Sequence, residues 1–261
     1  MTRYLYDGSF DGFLCAAQRA MDDEPGAGIA PAGAGQGELF MEDTPVVTDT
    51  RISRAFLRRF ASAAGREEAD SLLIAQASAD PDAPGLLLKY IRRTLASGSA
   101  VADDISSPEV LAVGRIRDRV MLEINKFMGM VRFRKAGEEL YYASVEPDSN
   151  IVGLIGPHFA DRFRDQAFLI HDLKRGIAFW RDSRRSERQG GRDSGIAEIP
   201  SLPPELIAAL ETNQDNVQAM WREYFKRIAI PQRRNPALQA RLMPRRYWKH
   251  LTEVQDKVKG K

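Results

Sequence analysis

Between Val131 and Arg181 the chain reads VRFRKAGEELYYASVEPDSNIVGLIGPHFADRFRDQAFLIHDLKRGIAFWR. Its first four residues alternate apolar and basic side chains, which is typical of a half-buried strand. A glycine-containing turn at 135–137 then leads into residues 140–145, LYYASV, whose side chains favour strands. We therefore predict an antiparallel hairpin over residues 131–145.

The rest of this central stretch predicts a helix and a second pair of strands. Pro147 ends the first hairpin, because proline cannot donate a hydrogen bond to a strand ladder. A helix is predicted to begin near Ile151. The apolar runs 168–170 and 176–180 are predicted to pair as antiparallel strands around a turn at 172–175.

The regions outside this stretch are predicted to be mostly helical. Apolar residues recur at spacings of three and four through residues 51–130, whereas residues 3–6 form a short strand pattern. Loops are expected at 22–36, which is rich in Gly, Ala and Pro, and at 183–195, which is polar and glycine-bearing. The expected fold is α+β, mostly helical, with a small antiparallel sheet from the central hairpins and a short N-terminal strand.

We interpret residues 1–261 as one domain with three sub-regions. These are a mainly helical part (1–130), a part with hairpins and a helix (131–181), and a basic helical module (200–255). A single cysteine, Cys15, excludes an internal disulfide and any cysteine-rich metal or iron–sulfur site. With no signal-peptide pattern and no apolar run that could span a membrane, a cytoplasmic location is expected. No cofactor is identified, and no spacing predicts a metal site.

Charge is distributed unevenly along the chain. Residues 1–50 carry a balance of −7, and residues 51–261 carry +9. Between Arg222 and Lys249 there are nine basic residues and one acid, interleaved with aromatic residues. This pattern favours nucleic acid, because cations neutralise phosphates and bases stack on rings. The predicted contacts are Arg222, Lys226, Arg233, Arg234, Arg245, Arg246 and Lys249. Alternatively, the rings form core and the cations only solvate it.

The central stretch also contains side chains suited to acid–base chemistry. Carboxylates and imidazoles can transfer protons or activate water, with or without a metal ion. The candidate catalytic residues are Glu146, Asp148, His158, His171 and Asp172. A histidine beside an aspartate at a strand end is often a structural pair, so the sequence alone leaves enzymatic activity undecided.

Several segments together resemble a bacterial family associated with DNA metabolism and DNA repair. The resemblance lies in ten short segments, which occur in the family's order and together extend over nearly the whole chain. They are Tyr6–Gly12, Tyr142-Ala143, Glu146-Pro147-Asp148, His158-Phe159, Arg162-Phe163, Ile170-His171-Asp172, Trp221, Tyr224-Phe225, Arg234-Asn235 and Met243–Trp248. The family domain, whose function is not known, is also met fused to uracil-DNA glycosylase-like proteins and beside a radical-SAM partner. The resemblance therefore implies bacterial DNA repair or modification, and it supplies no catalytic residues.

Three functions remain as hypotheses. The first is a DNA-binding accessory protein that acts with a partner enzyme, such as the radical-SAM-like protein. The second is an enzyme that acts on DNA, hydrolase- or glycosylase-like, through Glu146, Asp148, His158 and His171. The third is a protein-interaction module without direct nucleic-acid contact. DNA is the expected partner, and no membrane association is expected.

Overall fold

The computed structural model describes residues 1–23, 26–34, 42–98, 101, 104, 106–137, 139–182, 193–212, 223, 227 and 235–257. The chain divides into two compact units, residues 1–121 and residues 122–261. No helix within the described ranges is both long and apolar enough to cross a membrane.

The first unit contains a three-stranded parallel sheet. Its strands are β1 (Thr2–Tyr6), β2 (Gly28–Pro31) and β3 (Glu42–Pro45), with β1 in the centre and both neighbours parallel to it. The helix α1 (Phe10–Asp22) connects β1 to β2 and begins at Ser9, whose hydroxyl accepts a hydrogen bond from the N–H of Gly12. The predicted N-terminal strand is confirmed. The prediction of a loop over residues 22–36 is wrong at Gly28–Pro31, which form β2.

Helices complete the first unit. They are α2 (Thr50–Ala64), α3 (Arg66–Gln76), α4 (Ala83–Ser97) and α5 (Pro108–Met130), the last of which continues into the second unit. Apolar side chains of these helices and of α1 form the core, and its most deeply buried members include Phe13, Leu14, Phe60, Leu72, Leu87 and Ile91. Ile52 in α2 and Leu111 in α5 share the predicted helical spacing but are exposed.

The second unit contains a five-stranded mixed sheet. The strands are β4 (Arg134–Lys135), β5 (Leu140–Val145), β6 (Ala167–Asp172), β7 (Ile177–Arg181) and β8 (Ser194–Glu198), and they lie side by side in that order. The pairs β4–β5 and β6–β7 are antiparallel, as the two predicted hairpins require. The pair β7–β8 is antiparallel too, but β8 was not predicted: the loop expected at 183–195 is wrong where β8 begins at Ser194, and residues 183–192 lie outside the described residues. The α+β class is confirmed.

The prediction of a wholly antiparallel sheet is wrong at its centre, where β5 and β6 pair in parallel. The reason is the helix α6 (Val152–Arg162), which lies between them in sequence. A helical crossover returns the chain to the starting end of the sheet, and the next strand then runs in the same direction. Sequence periodicity identified the strands and the helix, but not this connection.

Helix α6 packs closely on one face of the sheet. A Cβ atom at Gly156 would lie 2.2 Å from Cγ of Phe179, so only glycine allows the helix to approach this ring. The ring of Phe133 meets those of Phe159, Phe163 and Phe168 edge to face, with centroids 5.3–5.4 Å apart. These contacts hold α6 against β6 and β7.

The C-terminal part of the second unit consists of short helices. The described ones are α7 (Pro204–Thr212), α8 (Pro236–Leu242) and two 3-10 helices, Arg245–His250 and Thr252–Lys257. Arg132 forms a hydrogen-bonded ion pair with Glu253, at 2.6 Å between Nη2 and Oε1, so the second 3-10 helix is tied to the residues that follow α5.

Candidate functional site

Polar side chains line one face of β5. Tyr142 and Ser144 are two positions apart in the strand, and Glu146 lies two positions further on, directly after the strand ends. Because side chains two apart in a strand lie on the same face, these three point to the same side. The parallel register places Ser144 beside His171 on β6. Two neighbouring parallel strands thus carry polar groups towards their carboxyl ends, a common location for ligand sites in sheet proteins.

His250, the last residue of the first 3-10 helix, joins two of these side chains. Its Nδ1 lies 3.0 Å from Oγ of Ser144, and its Nε2 lies 2.7 Å from Oε2 of Glu146. Lys249 forms an ion pair with the same carboxylate oxygen. The histidine side chain is 13% exposed, and the Glu146 side chain is 29% exposed.

The charges of this group follow from its contacts. Burial raises the pKa of Glu146, but hydrogen bonds from Lys249 and His250 outweigh it, and the net pKa is lowered. Burial lowers the pKa of His250, the hydrogen bond and charge of Glu146 raise it, and the charges of Lys249 and Arg134 lower it, so the net pKa is lowered. At neutral pH the carboxylate is therefore ionised and the imidazole is neutral.

A second histidine on this face has different partners. The Nδ1 of His171 lies 3.1 Å from the phenolic oxygen of Tyr142, and its Nε2 lies 2.8 Å from the carbonyl oxygen of Ile199. His171 is 2% exposed. A carbonyl only accepts, so Nε2 carries the proton and Nδ1 accepts from Tyr142. Burial raises the pKa of Tyr142 to about 12, so the phenol keeps its proton.

Asp172 organises the turn between β6 and β7. Its carboxylate is completely buried, accepts from the backbone N–H groups of Lys174 and Arg175, and pairs with the Arg175 guanidinium at 2.8 Å. The same guanidinium donates to the carbonyl oxygens of Pro147 and Asp148. The contacts give Asp172 a structural role: it holds the turn against the segment after β5.

Asp148 lies in a second group of charges. Its backbone N–H donates to Glu123 over 2.7 Å, and its side chain forms an ion pair with Arg246. Arg246 also lies over the ring of Tyr247, 4.8 Å from its centroid, and donates to the Tyr247 hydroxyl. Thus predicted acids and predicted phosphate-binding cations meet pairwise: Asp148 with Arg246, and Glu146 with Lys249.

The first 3-10 helix presents its cations to solvent. The side chains of Arg246 and Lys249 are 59% and 55% exposed, and Arg245 is exposed as well. Arg245 lies over the ring of Trp248, 5.7 Å from its centroid, and the indole N–H donates to the carbonyl oxygen of Met243. The remaining predicted nucleic-acid contacts, Arg222, Lys226, Arg233 and Arg234, lie outside the described residues.

His158 takes no part in either group of contacts described above. It is exposed on α6 and meets the ring of Phe159 edge-on. Ser144 and His250 were not among the predicted site residues. The alternation of Tyr142, Ser144 and Glu146 was a signal for a shared face, but nothing local in the sequence places His250, about a hundred positions later, beside them. Over the described ranges, no cluster of three or more His, Cys, Asp or Glu side chains could hold a metal ion.

The comparison with known families gives the chain its family. The model of DUF4130, a domain of unknown function, matches residues 81–253. That match covers well over half of the sequence, and the chain therefore belongs to this family. The comparison with curated proteins finds no match.

Proposed function

We propose that this protein is a DNA-binding accessory protein of DNA repair or modification that acts with a partner enzyme. The observation that carries the proposal is the first 3-10 helix, Arg245–His250. Within four residues it has two arginines stacked on aromatic rings, Arg245 on Trp248 and Arg246 on Tyr247. Planar guanidinium groups held in this way can bind phosphates and stack with bases.

The ion pairs of this helix are compatible with phosphate binding. The Arg246 and Asp148 side chains are 59% and 48% exposed, and an exposed ion pair contributes only about 0–1 kcal/mol. A phosphate can therefore replace the carboxylate as the partner of Arg246 at small cost. The surrounding sequence supports an anionic partner, because residues 222–249 contain nine basic residues and one acid.

Repair or modification, rather than DNA binding alone, is supported by the resemblance to DNA repair proteins. That resemblance also suggests the partner, a radical-SAM-like enzyme, which would supply the chemistry. The accessory protein would present the DNA strand, and the enzyme would act on it.

The test is fluorescence anisotropy with labelled single-stranded and duplex DNA over a salt series. The triple variant Arg245→Ala, Arg246→Ala, Lys249→Ala should bind more weakly. The slope of log affinity against log salt should flatten by about 0.9 for each duplex phosphate that the variant no longer neutralises, or by about 0.7 for each single-strand phosphate. A matched control is Arg54→Ala, Arg58→Ala, Arg59→Ala, which removes the same charge from exposed positions of α2.

Comparing the variant of the 3-10 helix with the variant of α2 shows whether DNA binds at the 3-10 helix or is attracted equally by any exposed positive charge. An equal loss of affinity in both would contradict the assignment to the 3-10 helix. Absence of DNA binding by the unmodified protein at low salt would reject DNA as the partner. Co-purification with the radical-SAM-like protein would test the accessory role separately.

A further inference from the structure

Ser144, His250 and Glu146 form a continuous hydrogen-bonded row that DNA binding does not require. Ser144 and Glu146 are two positions apart on one side of β5 and its extension, and His250 lies across both. The row lies at the carboxyl end of β5, and the serine is half-buried. This order of groups, hydroxyl then imidazole then carboxylate, is the one that activates a serine nucleophile.

The contacts determine which nitrogen of His250 carries the proton. An ionised Glu146 only accepts hydrogen bonds, so Nε2 must donate to it. In a neutral imidazole Nδ1 is then the acceptor, and the Ser144 hydroxyl donates to it over 3.0 Å. The serine proton therefore already points at a base, and the base is oriented by a carboxylate.

A second row of hydrogen bonds, formed by Tyr142, His171 and the carbonyl oxygen of Ile199, has a structural role and serves as a comparison. Tyr142 donates to Nδ1 of His171 in the same way, but Nε2 of that ring faces a backbone carbonyl instead of a carboxylate. His171 is also almost fully buried, whereas His250 and Glu146 are partly exposed. Of the two rows, the one at Ser144 combines an orienting carboxylate with access from solvent.

We propose that Ser144 is a catalytic nucleophile for acyl transfer, with His250 as its general base and Glu146 as the residue that orients His250. Oγ of Ser144 attacks the carbonyl carbon of an ester while its proton moves to Nδ1 of His250. The bond to the alcohol oxygen then breaks, His250 returns the proton to that oxygen, and an acyl-serine remains. Water, deprotonated by His250, hydrolyses the acyl-serine to a carboxylic acid and restores the hydroxyl.

The substrate class that fits is an uncharged carboxylic ester. Lys249 is bound to Glu146, so the carboxylate that holds His250 is itself held by a cation. An anionic substrate would attract Lys249 and loosen this arrangement, whereas a neutral carbonyl leaves it intact. The inference does not rest on the proposed DNA binding, and the two are tested separately. They share Lys249, however, because a phosphate bound to Lys249 would compete with Glu146 for it and loosen the row.

The experiment uses the full chain and an uncharged fluorophosphonate probe, which phosphonylates an activated serine with loss of fluoride. Mass spectrometry should locate the label on Ser144. Ser144→Ala should abolish labelling, and His250→Gln should slow it by at least about 100-fold, since a positioned general base contributes that much or more. The matched control is Ser194→Ala, which removes another half-buried strand serine whose hydroxyl donates to Asp193 and should leave labelling unchanged.

A pH series distinguishes a base from a structural histidine. The labelling rate of the unmodified protein should rise with pH and reach a plateau, with a midpoint below about 6.5, the ordinary pKa of histidine. His250→Gln should remove this step. Hydrolysis of 4-nitrophenyl acetate by the unmodified protein, and its loss in Ser144→Ala, tests the ester class.

Several outcomes would overturn the proposal. The first is an unmodified protein in which Ser144 is not labelled. The second is a His250→Gln variant that is labelled as fast as the unmodified protein. The third is a labelling rate of the unmodified protein that does not change with pH. Label on Ser144 without ester hydrolysis would overturn the substrate class. If Ser144→Ala does not fold, the site of the label in the unmodified protein and the His250→Gln rate still decide the question.

Discussion

The phenolic oxygen of Tyr142 lies 3.1 Å from Nδ1 of His171, and both side chains are almost completely buried. Because Nε2 donates to the carbonyl of Ile199, Nδ1 depends on the Tyr142 hydroxyl for a partner. The pair therefore fixes the tautomer of His171 and ties β5 to β6 through side chains as well as through the strand ladder.

Replacing Tyr142 by Phe should destabilise the protein. The substitution leaves the buried Nδ1 of His171 without a donor, and an unsatisfied buried acceptor costs about 1–3 kcal/mol. Urea unfolding followed by circular dichroism measures the change in unfolding free energy. Tyr141→Phe is the matched control, since Tyr141 is half-exposed and its side chain points to the opposite side of the strand, and it should change stability much less. Equal effects would contradict a stabilising hydrogen bond between Tyr142 and His171.

The His250 and Glu146 contacts predict the direction of a pH effect on stability. In the folded protein the pKa of His250 lies below its ordinary value of about 6.5, so the unfolded chain takes up a proton first as pH falls. The pKa of Glu146 is also lowered on folding. Both groups therefore stabilise the folded state near neutral pH, and this stability declines on acidification. The His250 part is lost first, below about pH 6.5, and the Glu146 part below about pH 4.3.

Unfolding free energies measured between pH 8 and pH 5 can isolate the His250 contribution. The unmodified protein should lose more stability over this range than His250→Gln, because Gln keeps a donor for Glu146 but does not titrate. A steeper loss in His250→Gln would mean that folding raises the pKa of His250 instead of lowering it.

Arg175→Ala should cause a large loss of stability. It leaves the completely buried carboxylate of Asp172 without its ionic partner, and removing one member of such a pair costs about 3–5 kcal/mol. Lys174→Ala is the control, because this exposed residue contributes its backbone N–H and not its side chain to Asp172. Thermal unfolding compares the two, and a small effect for Arg175→Ala would show that Asp172 finds other partners.

Two glycine-to-alanine changes in the second unit should have opposite signs. Gly156→Ala places a methyl group against Phe179 and should cost about 1–3 kcal/mol through overpacking. Gly129→Ala, in α5, meets no atom within 4 Å and should stabilise by about 0.5–1 kcal/mol, because alanine loses less entropy in a helix. Chemical denaturation of both variants checks the pair. Destabilisation by both changes would contradict the open position of Gly129.

Local patterns in the sequence predicted the elements better than their arrangement. The strand-forming side chains of Leu140–Val145 and the spacing through α5 correspond to a strand and a helix in the structure. The alternation at 131–134 corresponds to a strand only at Arg134, where β4 begins. The parallel pairing of β5 and β6 could not be predicted in this way, since period-two alternation is the same in parallel and antiparallel strands. The short strand β2 was missed because its sequence, GIAP, contains glycine and proline, which ordinarily break strands.

For the candidate site as well, the sequence predicted individual residues better than their contacts. Glu146 and the cations Arg246 and Lys249 were identified from residue type and local charge. The pairing of Lys249 with Glu146 and of Arg246 with Asp148 was not, because each pair joins residues about a hundred positions apart through tertiary packing. Asp172 and His171 were predicted as candidate catalytic residues because an acid stands beside a histidine. In the structure they do not pair: His171 bonds to the carbonyl oxygen of Ile199, and Asp172 pairs with Arg175.

The long sequence separation within the Ser144 row has a consequence for the order of events during synthesis. The five strands of the sheet are complete at residue 198, but the partner of Ser144 is His250, 106 positions after it. The ion pair between Arg132 and Glu253 spans 121 positions. On the ribosome, where chains grow from the N-terminus, the sheet can therefore pair before its C-terminal segment exists. Until that segment emerges and docks, the nascent protein has neither the imidazole nor the exposed cations beside the serine.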